Sequence, residues 1–250
     1  MAKQRTTRTA TVTATTRISP DLIRISFDCP GIVGAELPFT DHYVKILFDD
    51  VTRTYTLCNI NTVAGTFDMD FVSHGSEGLA GPWAEQASVG DEISFAGPGG
   101  KWKPAADYEH FVLAGDEAAA PAIVEALKRL PDGATATAYL EVSSNEALFD
   151  VPTPPSAELV WVPRDGAIHG ARLIEAVRAG GYPEKKTSWF IHGVAEMVKE
   201  TRRFLFIDGN IAREDASISG YWRLGMTEDQ WQSSKREFAA AMEAEEAAAG

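Results

Sequence analysis

Apolar and polar positions alternate along the first hundred residues in the way that half-buried β-strands require. The pattern predicts six strands, at 9–15, 22–27, 43–48, 53–58, 67–73 and 92–96. Turns rich in glycine, aspartate and asparagine separate them. Six short antiparallel strands at regular spacing indicate a small β-barrel. The glycine- and proline-rich run at 97–100 ends the pattern, so we expect a first domain over residues 1–104.

From residue 110 onward the chain alternates short apolar runs with amphipathic segments. Strands are predicted at 110–114, 135–142, 158–162 and 188–192, and helices at 121–130, 170–179 and 194–205. Such alternation is typical of a parallel sheet covered by helices. The sequence therefore predicts a second, α/β domain over residues 105–225.

A separate helix is predicted over the last segment, 226–250. Residues 227–230 (Thr-Glu-Asp-Gln) form a capping box, with two acids in the first turn where the helix dipole favours them. Trp231, Phe238 and Met242 recur at helical spacing and give one apolar stripe. The ordinary interpretation is a helix docked on its own domain. A dimer contact and an active-site flap are the alternatives.

Composition limits the classes of partner that the protein can have. The chain has 250 residues, of which 44% are hydrophobic, which is enough for two cores, and its formal charge is −13. That charge disfavours nucleic acid and anionic membranes as partners. Two cysteines and five scattered histidines give neither a disulfide framework nor a metal site. Because the chain shows no apolar signal core and no membrane-length apolar run, we expect a cytoplasmic protein without membrane insertion.

The segment 53–58 (Arg-Thr-Tyr-Thr-Leu-Cys) carries the clearest chemistry. In an extended strand Arg53 and Tyr55 project to one face, and Thr54 and Thr56 project to the other. An arginine can clamp a phosphate, a tyrosine ring can lie against a planar ligand, and a hydroxyl can meet a ring nitrogen. Together they suit a flavin dinucleotide. The alternative is a half-buried strand with one surface arginine.

Three further clusters bear on that hypothesis. Residues 74–84 place glycines before a possible short helix, where exposed amides can bind a pyrophosphate, although a loop with a buried tryptophan fits equally. Residues 114–121 (Ala-Gly-Asp-Glu-Ala-Ala-Ala-Pro) follow the first parallel strand, at the edge where open sheets bind ligands. They lack the dinucleotide fingerprint, but small alanines let a nicotinamide approach. Residues 219–225 (Ser-Gly-Tyr-Trp-Arg-Leu-Gly), expected to follow the last strand, could form an aromatic wall beside a flavin or a buried turn.

In this order the parts resemble the siderophore-interacting proteins, which are FAD-dependent ferric-siderophore reductases built on the ferredoxin-reductase plan. The resemblance rests on R-x-Y-T at 53–56, the glycine–tryptophan segment, G-P-G-G at 97–100, A-G-D-E at 114–117 and G-Y-W-R-x-G at 220–225. It covers about residues 7 to 226. It implies a six-stranded, antiparallel FAD-binding barrel, an α/β domain of the NAD(P)H-binding kind, and an added C-terminal helix.

The resemblance also implies roles for residues. Tyr55 and Thr56 would act at the flavin, with the ring of Tyr55 on the isoalloxazine and Thr56 near its N5. The cofactor-binding set would comprise Arg53, Tyr55, Thr56, Asp70, Val72, His74, Gly78, Leu79, Ala80, Trp83, Gly115, Asp116, Glu117 and Trp222. Lys45, Lys101 and Arg223 would hold the ferric siderophore, and no protein-built metal site is implied.

Two positions depart from the family pattern. The family usually has an arginine where Cys58 stands and a serine where Gly81 stands. One phosphate or substrate cation could therefore be missing. We expect Cys58 to pack as a small hydrophobic side chain.

The function implied is electron transfer from NAD(P)H, or from ferredoxin, through FAD to the iron of a ferric siderophore. A general NAD(P)H:flavin or ferredoxin-type reductase is one alternative, and a non-catalytic siderophore-binding module is another. Glu141, at the end of the strand 135–142, could accept a hydrogen bond from a ribose hydroxyl and repel a 2′-phosphate, which would favour NADH. A solvated glutamate is the alternative there. Family members with a long C-terminal helix also tend to use NADH.

Overall fold

The computed structural model describes residues 7–73 and 78–249, and these divide into two compact units. The first unit comprises residues up to 103 together with 121–129 and 146–152. The second comprises 104–120, 130–145 and the chain from 153 onward. The domain boundaries predicted at 104 and 225 remain a proposal.

The first unit is built on an antiparallel sheet. In the described residues its strands are β1 (Thr7–Ser19), β2 (Leu22–Asp28), β3 (Tyr43–Phe48), β4 (Val51–Thr56), β5 (Cys58–Asn61), β6 (Thr66–Val72) and β7 (Glu92–Gly99). Their order across the sheet is β4-β3-β7-β1-β2-β6-β5. The described α-helices of this unit are α1 (Ala80–Gln86) and α2 (Ala120–Leu127). The first residue of α2, Ala120, falls in the second unit.

Alternation along each strand builds the core of this sheet. Ile23, Ile25 and Phe27 of β2 are buried, whereas the polar residues between them are half-buried. Phe27 stacks on Phe67 of β6 with ring centroids 5.3 Å apart. The antiparallel first sheet is therefore confirmed.

Two details of the first sheet differ from the prediction. It has seven strands in the described residues, not six, because the predicted strand 53–58 divides at Leu57, whose N–H bonds to the carbonyl of His42 at 2.7 Å. The glycine–proline run also does not end the sheet, since β7 continues to Gly99. Glycine fits there because a Cβ at Gly99 would lie 2.8 Å from Cζ of Tyr43.

The second unit holds a parallel sheet with flanking helices. Its strands are β8 (His110–Gly115), β9 (Thr135–Val142), β10 (Ala157–Pro163), β11 (Thr187–Val194) and β12 (Ala216–Trp222), in the order β10-β9-β8-β11-β12. Its helices are α3 (Ala171–Gly180), α4 (Glu196–Arg202) and α5 (Glu228–Ala249). A wider, π-type turn continues α4 over Arg203–Asp208. Leu173 and Val177 of α3 and Met197 of α4 pack into its core.

Strand β12 was missed. The sequence places residues 219–225 after the last strand, as an aromatic wall or a buried turn, yet residues 216–222 pair in parallel with β11. Serines at 217 and 219 and the glycine at 220 interrupt this segment, so its own strand pattern is weak. Pairing with the fully buried β11 determines its conformation.

Helix α5 docks on its own unit. The capping box is present, since Thr227 N–H donates to Oε1 of Gln230 at 2.9 Å and Gln230 N–H donates to Oγ1 of Thr227 at 3.3 Å. Trp231 is 1% exposed, and its indole N–H donates to the carbonyl of Gly220 in β12. The ordinary interpretation of the apolar stripe is therefore the observed one. Among the described helices, none combines the length and the apolar character that crossing a bilayer requires.

Candidate functional site

Strands β3 and β4 arrange the candidate flavin-binding side chains of the first unit. The register places Arg53 opposite Ile46 and Tyr55 opposite Val44, and both of these apolar partners are fully buried. Arg53 and Tyr55 therefore share the core side of the ribbon, where each is half-buried. This is the grouping that the alternation predicts.

The opposite face of the same ribbon carries the other candidates. Lys45 pairs with Thr54, so these two side chains share the outward face with Thr56. Thr56, the last residue of β4, is nevertheless only 8% exposed, and Leu57 after it is fully buried. The structure thus brings Arg53 together with Tyr55, and Lys45 together with Thr54 and Thr56.

An aromatic cluster supports Tyr55. Its ring lies 4.4 Å from that of Phe71, measured between centroids, and Phe71 lies 5.5 Å from Trp83 of α1. Trp83 also meets the ring of Phe48 edge-on. Tyr55 and Trp83 are both partly buried at the border of the core. The cluster fixes the plane of the Tyr55 ring, which is what binding a flat ligand requires.

Asp70, which is predicted to bind the cofactor, forms an ion pair with Arg24 of β2. Its carboxylate accepts two hydrogen bonds from the guanidinium of Arg24, both at 2.7 Å, and its side chain is 3% exposed. The hydrogen bond to Asp70 raises the pKa of Arg24 above its usual value. The sequence missed this pair, because the two residues lie on neighbouring strands β2 and β6, 46 positions apart.

The glycine–tryptophan segment is described from Gly78 onward, so His74 lies outside the described residues. Leu79 is 43% exposed and Ala80 is buried at the start of α1. Val72, at the end of β6, is half-buried. A Cβ at Gly81 would lie 3.0 Å from the carbonyl oxygen of Val72. The glycine that replaces the usual serine therefore lets α1 approach β6 closely.

Cys58 packs as expected. It is 1% exposed, its thiol lies 3.5 Å from the carbonyl oxygen of Asp68, and burial raises its pKa well above the usual value. A buried thiol of this kind is a poor nucleophile.

In the second unit, Gly115 ends strand β8 and Asp116 directly follows it, and both residues are buried. Oδ2 of Asp116 accepts the indole N–H of Trp222 at 2.7 Å, and Oδ1 accepts the backbone N–H of Ala118. Burial, with the charge of Glu117 as a second cause, raises the pKa of Asp116 to about 7. A Cβ at Gly193, whose φ is +142°, would lie 2.8 Å from this carboxylate, so glycine is required beside it.

Glu117 and Glu141 share one buried arginine. Arg164 donates to both carboxylate oxygens of Glu117, at 2.9 and 2.8 Å, and to Oε1 of Glu141 at 3.2 Å. Glu141 also accepts the backbone N–H of Gly170, just before α3. Its side chain is 0% exposed and burial raises its pKa.

The prediction that Glu141 meets a ribose hydroxyl is therefore wrong, and so is the alternative of a solvated glutamate. Both fail because Arg164 and Gly170, 23 and 29 positions away, enclose the carboxylate. Arg164 was not predicted. A signal existed, since it directly follows an apolar strand at the sheet edge where Glu117 and Glu141 also stand.

Trp222 and Arg223 face different neighbours. The ring of His169 meets that of Trp222 edge-on, 4.9 Å between centroids. The guanidinium of Arg223 lies 5.1 Å from the ring centroid of Phe238 in α5, and its Nε is 3.6 Å from Oε1 of Glu196. Arg223 is thus engaged with α5 and α4. Sequence reasoning did not anticipate this contact, because Arg223 and α5 lie in separately predicted segments of the chain.

Lys101 is exposed. Its backbone N–H and that of Trp102 donate to Oδ1 of Asp41 at 2.8 and 2.9 Å, which fixes the chain after β7. In the described part of the chain, no group of three or more histidine, cysteine, aspartate or glutamate side chains could hold a metal ion.

The two units together have the fold of the ferredoxin reductases. The structure matches the ferredoxin reductase of a carbazole 1,9a-dioxygenase with a TM-score of 0.69 and 16% identity, covering 88% of this chain and 68% of that one. That likeness concerns the fold alone. It defines the class of protein as a two-unit, ferredoxin-reductase-like chain.

Sequence comparison identifies the family. Residues 11–52 and 49–102 match the siderophore-interacting FAD-binding domain, and residues 108–225 match the siderophore-interacting protein family. The chain belongs to the siderophore-interacting proteins. An uncharacterized protein of Mycobacterium tuberculosis is 34% identical over 92% of this chain and 95% of its own length.

Other relatives carry more descriptive names. Ferric vibriobactin reductase ViuB of Vibrio cholerae is 29% identical over 86% of this chain and 88% of its own. A siderophore utilization protein from T. fusca has a TM-score of 0.79 and 28% identity, covering 89% and 95% of the two chains. SipS, the siderophore-interacting protein of Aeromonas hydrophila, has a TM-score of 0.82 and 25% identity, covering 94% and 99%.

Proposed function

We propose that this protein is an FAD-dependent reductase of ferric siderophores, which passes electrons from NAD(P)H through FAD to Fe(III). The observation that carries the proposal is the location of Arg53 and Tyr55 on the same side of β4. This strand lies inside the part of the chain that matches the siderophore-interacting FAD-binding domain. Relatives named ferric vibriobactin reductase and ferric acinetobactin reductase support the activity. A cytoplasmic reaction stays a prediction.

The residues of the first unit fit FAD. A guanidinium suits the diphosphate, and an aromatic ring fixed by Phe71 suits the isoalloxazine. Arg53 would bind phosphate and Tyr55 would lie against the ring system. Thr56 would offer its hydroxyl near the flavin N5. Beyond these, Val72, Gly78, Leu79, Ala80 and Trp83 would lie toward the diphosphate and adenosine.

A nicotinamide donates two electrons at once, whereas ferric iron accepts one. Bound FAD would supply the conversion between these two kinds of electron transfer. The siderophore supplies the ligands of the iron, so the protein needs only to hold the chelate. Lys45 is a half-buried cation on the outward face of β3 that would attract an anionic chelate. Lys101 would contribute in the same way.

In the second unit, Gly115, Asp116 and Glu117 would line the approach of the nicotinamide. Asp116 acts there through Trp222, because the hydrogen bond to its indole N–H orients the aromatic ring. Glu117 is held by Arg164 and would fix the backbone after β8. We assign these carboxylates to positioning, since both side chains are buried.

Two other functions make different predictions. A general NAD(P)H:flavin or ferredoxin-type reductase would turn over free flavin or ferredoxin faster than ferric chelates. A siderophore carrier would bind the chelate without redox chemistry.

Anaerobic mixing of the FAD-loaded protein with NADH, NADPH and reduced ferredoxin, in parallel, identifies the donor from the loss of flavin absorbance. Reoxidation by a ferric chelate, with Fe(II) trapped by a colorimetric chelator, then supports the reductase. A colourless protein that binds the chelate would overturn the proposal.

A further inference from the structure

The carboxyl edge of a parallel sheet is where α/β domains usually bind the diphosphate of a dinucleotide, through backbone N–H groups at the starts of the helices. Helices α2, α3 and α4 start at this edge, after β8, β10 and β11. At each of these starts, another group of this chain already accepts the leading N–H. The edge therefore differs from a dinucleotide site in the one feature that binds phosphate.

Asp116 occupies the start of α2. Its Oδ1 accepts the backbone N–H of Ala118 at 3.1 Å and that of Ala119 at 3.3 Å. Its carbonyl oxygen accepts the N–H of Ala120 at 2.9 Å. The next residue, Pro121, has no N–H. Each of the four positions 118–121 thus either donates within the chain already or has no hydrogen to donate.

The starts of α3 and α4 are occupied in a similar way. Both carboxylate oxygens of Glu141 accept the N–H of Gly170, directly before α3, at 3.0 and 3.1 Å. The carbonyl oxygen of Trp222 accepts the N–H of Ala195, directly before α4, at 2.8 Å. The side chain of Glu141 also brings a negative charge to the edge, and a diphosphate would be repelled by it.

Asp116 is fixed where it lies. Its Oδ2 accepts the indole N–H of Trp222 at 2.7 Å, and a Cβ at Gly193 would lie 2.8 Å from its carboxylate. The residue is 1% exposed. A diphosphate could reach the start of α2 only by displacing this carboxylate, which would break hydrogen bonds in a site closed to solvent.

We propose that this reductase recognises its dihydronicotinamide donor by the nicotinamide riboside end, and that Asp116 excludes the diphosphate from the start of α2. The adenosine diphosphate half of the donor then adds little to binding. This inference rests on the proposed function and names the part of the donor on which that site acts.

The test compares three donors that carry the same reactive ring. NADH has the full diphosphate, reduced nicotinamide mononucleotide has one phosphate, and reduced nicotinamide riboside has none. Each transfers a hydride from C4 of its ring and leaves as the oxidised nicotinamide, while a proton from water completes the reduced flavin. Anaerobic stopped-flow mixing with the FAD-loaded protein gives the second-order rate constant of flavin reduction for each donor.

Wild type should reduce its flavin with the three donors at rate constants within about threefold of one another. Charge-assisted contacts to a bound diphosphate would instead favour NADH by roughly ten- to a hundredfold. Calorimetric titration of the FAD-loaded wild type with ADP-ribose should show no binding at micromolar concentrations, which tests the inference without turnover.

Asp116→Ala frees the N–H groups of Ala118 and Ala119, so it should raise the ratio of the NADH rate to the riboside rate at least about threefold and allow ADP-ribose to bind. Asp116→Asn retains an oxygen for these N–H groups and should keep a ratio near that of wild type. Asp132→Ala, at an exposed aspartate of the second unit, is the matched control. Flavin absorbance and circular dichroism show that each variant is folded.

A wild-type preference for NADH of more than about tenfold, or an unchanged ratio in Asp116→Ala, would overturn the inference and leave the reductase intact. Equal reduction by the three donors without reoxidation by ferric citrate would support the inference and overturn the proposed function. If none of the three reduces the flavin, but ferric citrate reoxidises the dithionite-reduced protein, the inference is wrong and the ferric reductase takes its electrons from another class of donor.

Discussion

Trp222 donates its indole N–H to Oδ2 of Asp116 at 2.7 Å, and this hydrogen bond joins the carboxyl ends of strands β12 and β8. Two motifs that stand 106 positions apart in the chain are thereby one structural feature. The bond also explains the burial of an acid at this point, since the indole N–H and the backbone N–H groups of Ala118 and Ala119 surround the carboxylate.

Asp116 should make stability depend on pH. Burial raises its pKa from 3.8 to about 7, so the folded state keeps a proton that the unfolded state loses. This contribution to stability is complete below the unfolded pKa and is lost as pH rises through the folded pKa. Between about pH 5 and about pH 8, wild type should lose roughly 2–3 kcal/mol more than Asp116→Asn, which has no such titration.

Urea unfolding of both proteins across that range checks this prediction. The asparagine oxygen can still accept the indole N–H of Trp222, so the comparison isolates the titration. Parallel stability curves for the two proteins would show that Asp116 is ionised in the folded state throughout the range.

Glu141→Gln should destabilise the protein and leave its choice of donor unchanged. The carboxylate accepts the N–H of Gly170 and an N–H of Arg164 in a site closed to solvent. A glutamine can offer one acceptor oxygen there but places an amide where an acceptor is needed. We expect a loss of about 1–3 kcal/mol in the free energy of unfolding, measured in urea.

The control is Glu158→Gln, an exposed strand glutamate, which should change stability by less than about 0.5 kcal/mol. Rates of flavin reduction by NADH and NADPH are then compared. If the ratio of the NADH rate to the NADPH rate changes in Glu141→Gln but not in the control, Glu141 contributes to the donor site.

Glu141 also shows where prediction from the sequence ends. Both sheets, and the placement of Arg53 and Tyr55 on one face of β4, follow from local patterns, because each strand buries one face or two. The environment of Glu141 depends on Arg164, 23 positions later, and no local pattern encodes that contact. The same holds for Asp70 and Arg24, and for β12, whose conformation depends on pairing with β11. Sequence reasoning placed these charged residues on the correct strands but could not identify the residues that they contact.

Arg53→Ala should weaken FAD binding. A charge-assisted contact to phosphate is worth about 1.5–3 kcal/mol, which corresponds to roughly ten- to a hundredfold in the dissociation constant. Arg53→Lys should recover part of the loss, because it keeps the charge without the planar fork. Fluorescence titration of flavin-free protein with FAD measures the constants.

Arg172→Ala is the matched control for that series. Arg172 is a solvent-exposed arginine of the second unit that pairs with Asp165, and its loss should leave FAD affinity unchanged. Full FAD affinity in Arg53→Ala would exclude Arg53 from the cofactor site.

Substitutions at Arg223 and at Lys45 should have different effects, although the family resemblance gives both residues the same role. The guanidinium of Arg223 lies over the rings of Phe238 and Trp231 in α5. Arg223→Gln should therefore weaken the docking of α5 by about 0.5–1 kcal/mol, seen as faster hydrogen exchange in that helix. Arg223→Lys keeps a cation over the rings and should exchange nearly as slowly as wild type.

Lys45→Gln should have the opposite profile, since the side chain of Lys45 has no polar partner among the described residues. It should raise KM for an anionic ferric chelate and reduce the effect of ionic strength, while exchange in α5 stays at the wild-type rate. Flavin reduction by the donor should not change in either variant, because neither side chain belongs to the proposed flavin or nicotinamide contacts. If Arg223→Gln raises KM as much as Lys45→Gln and leaves α5 exchange unaltered, Arg223 binds the chelate and its contacts with α5 contribute nothing.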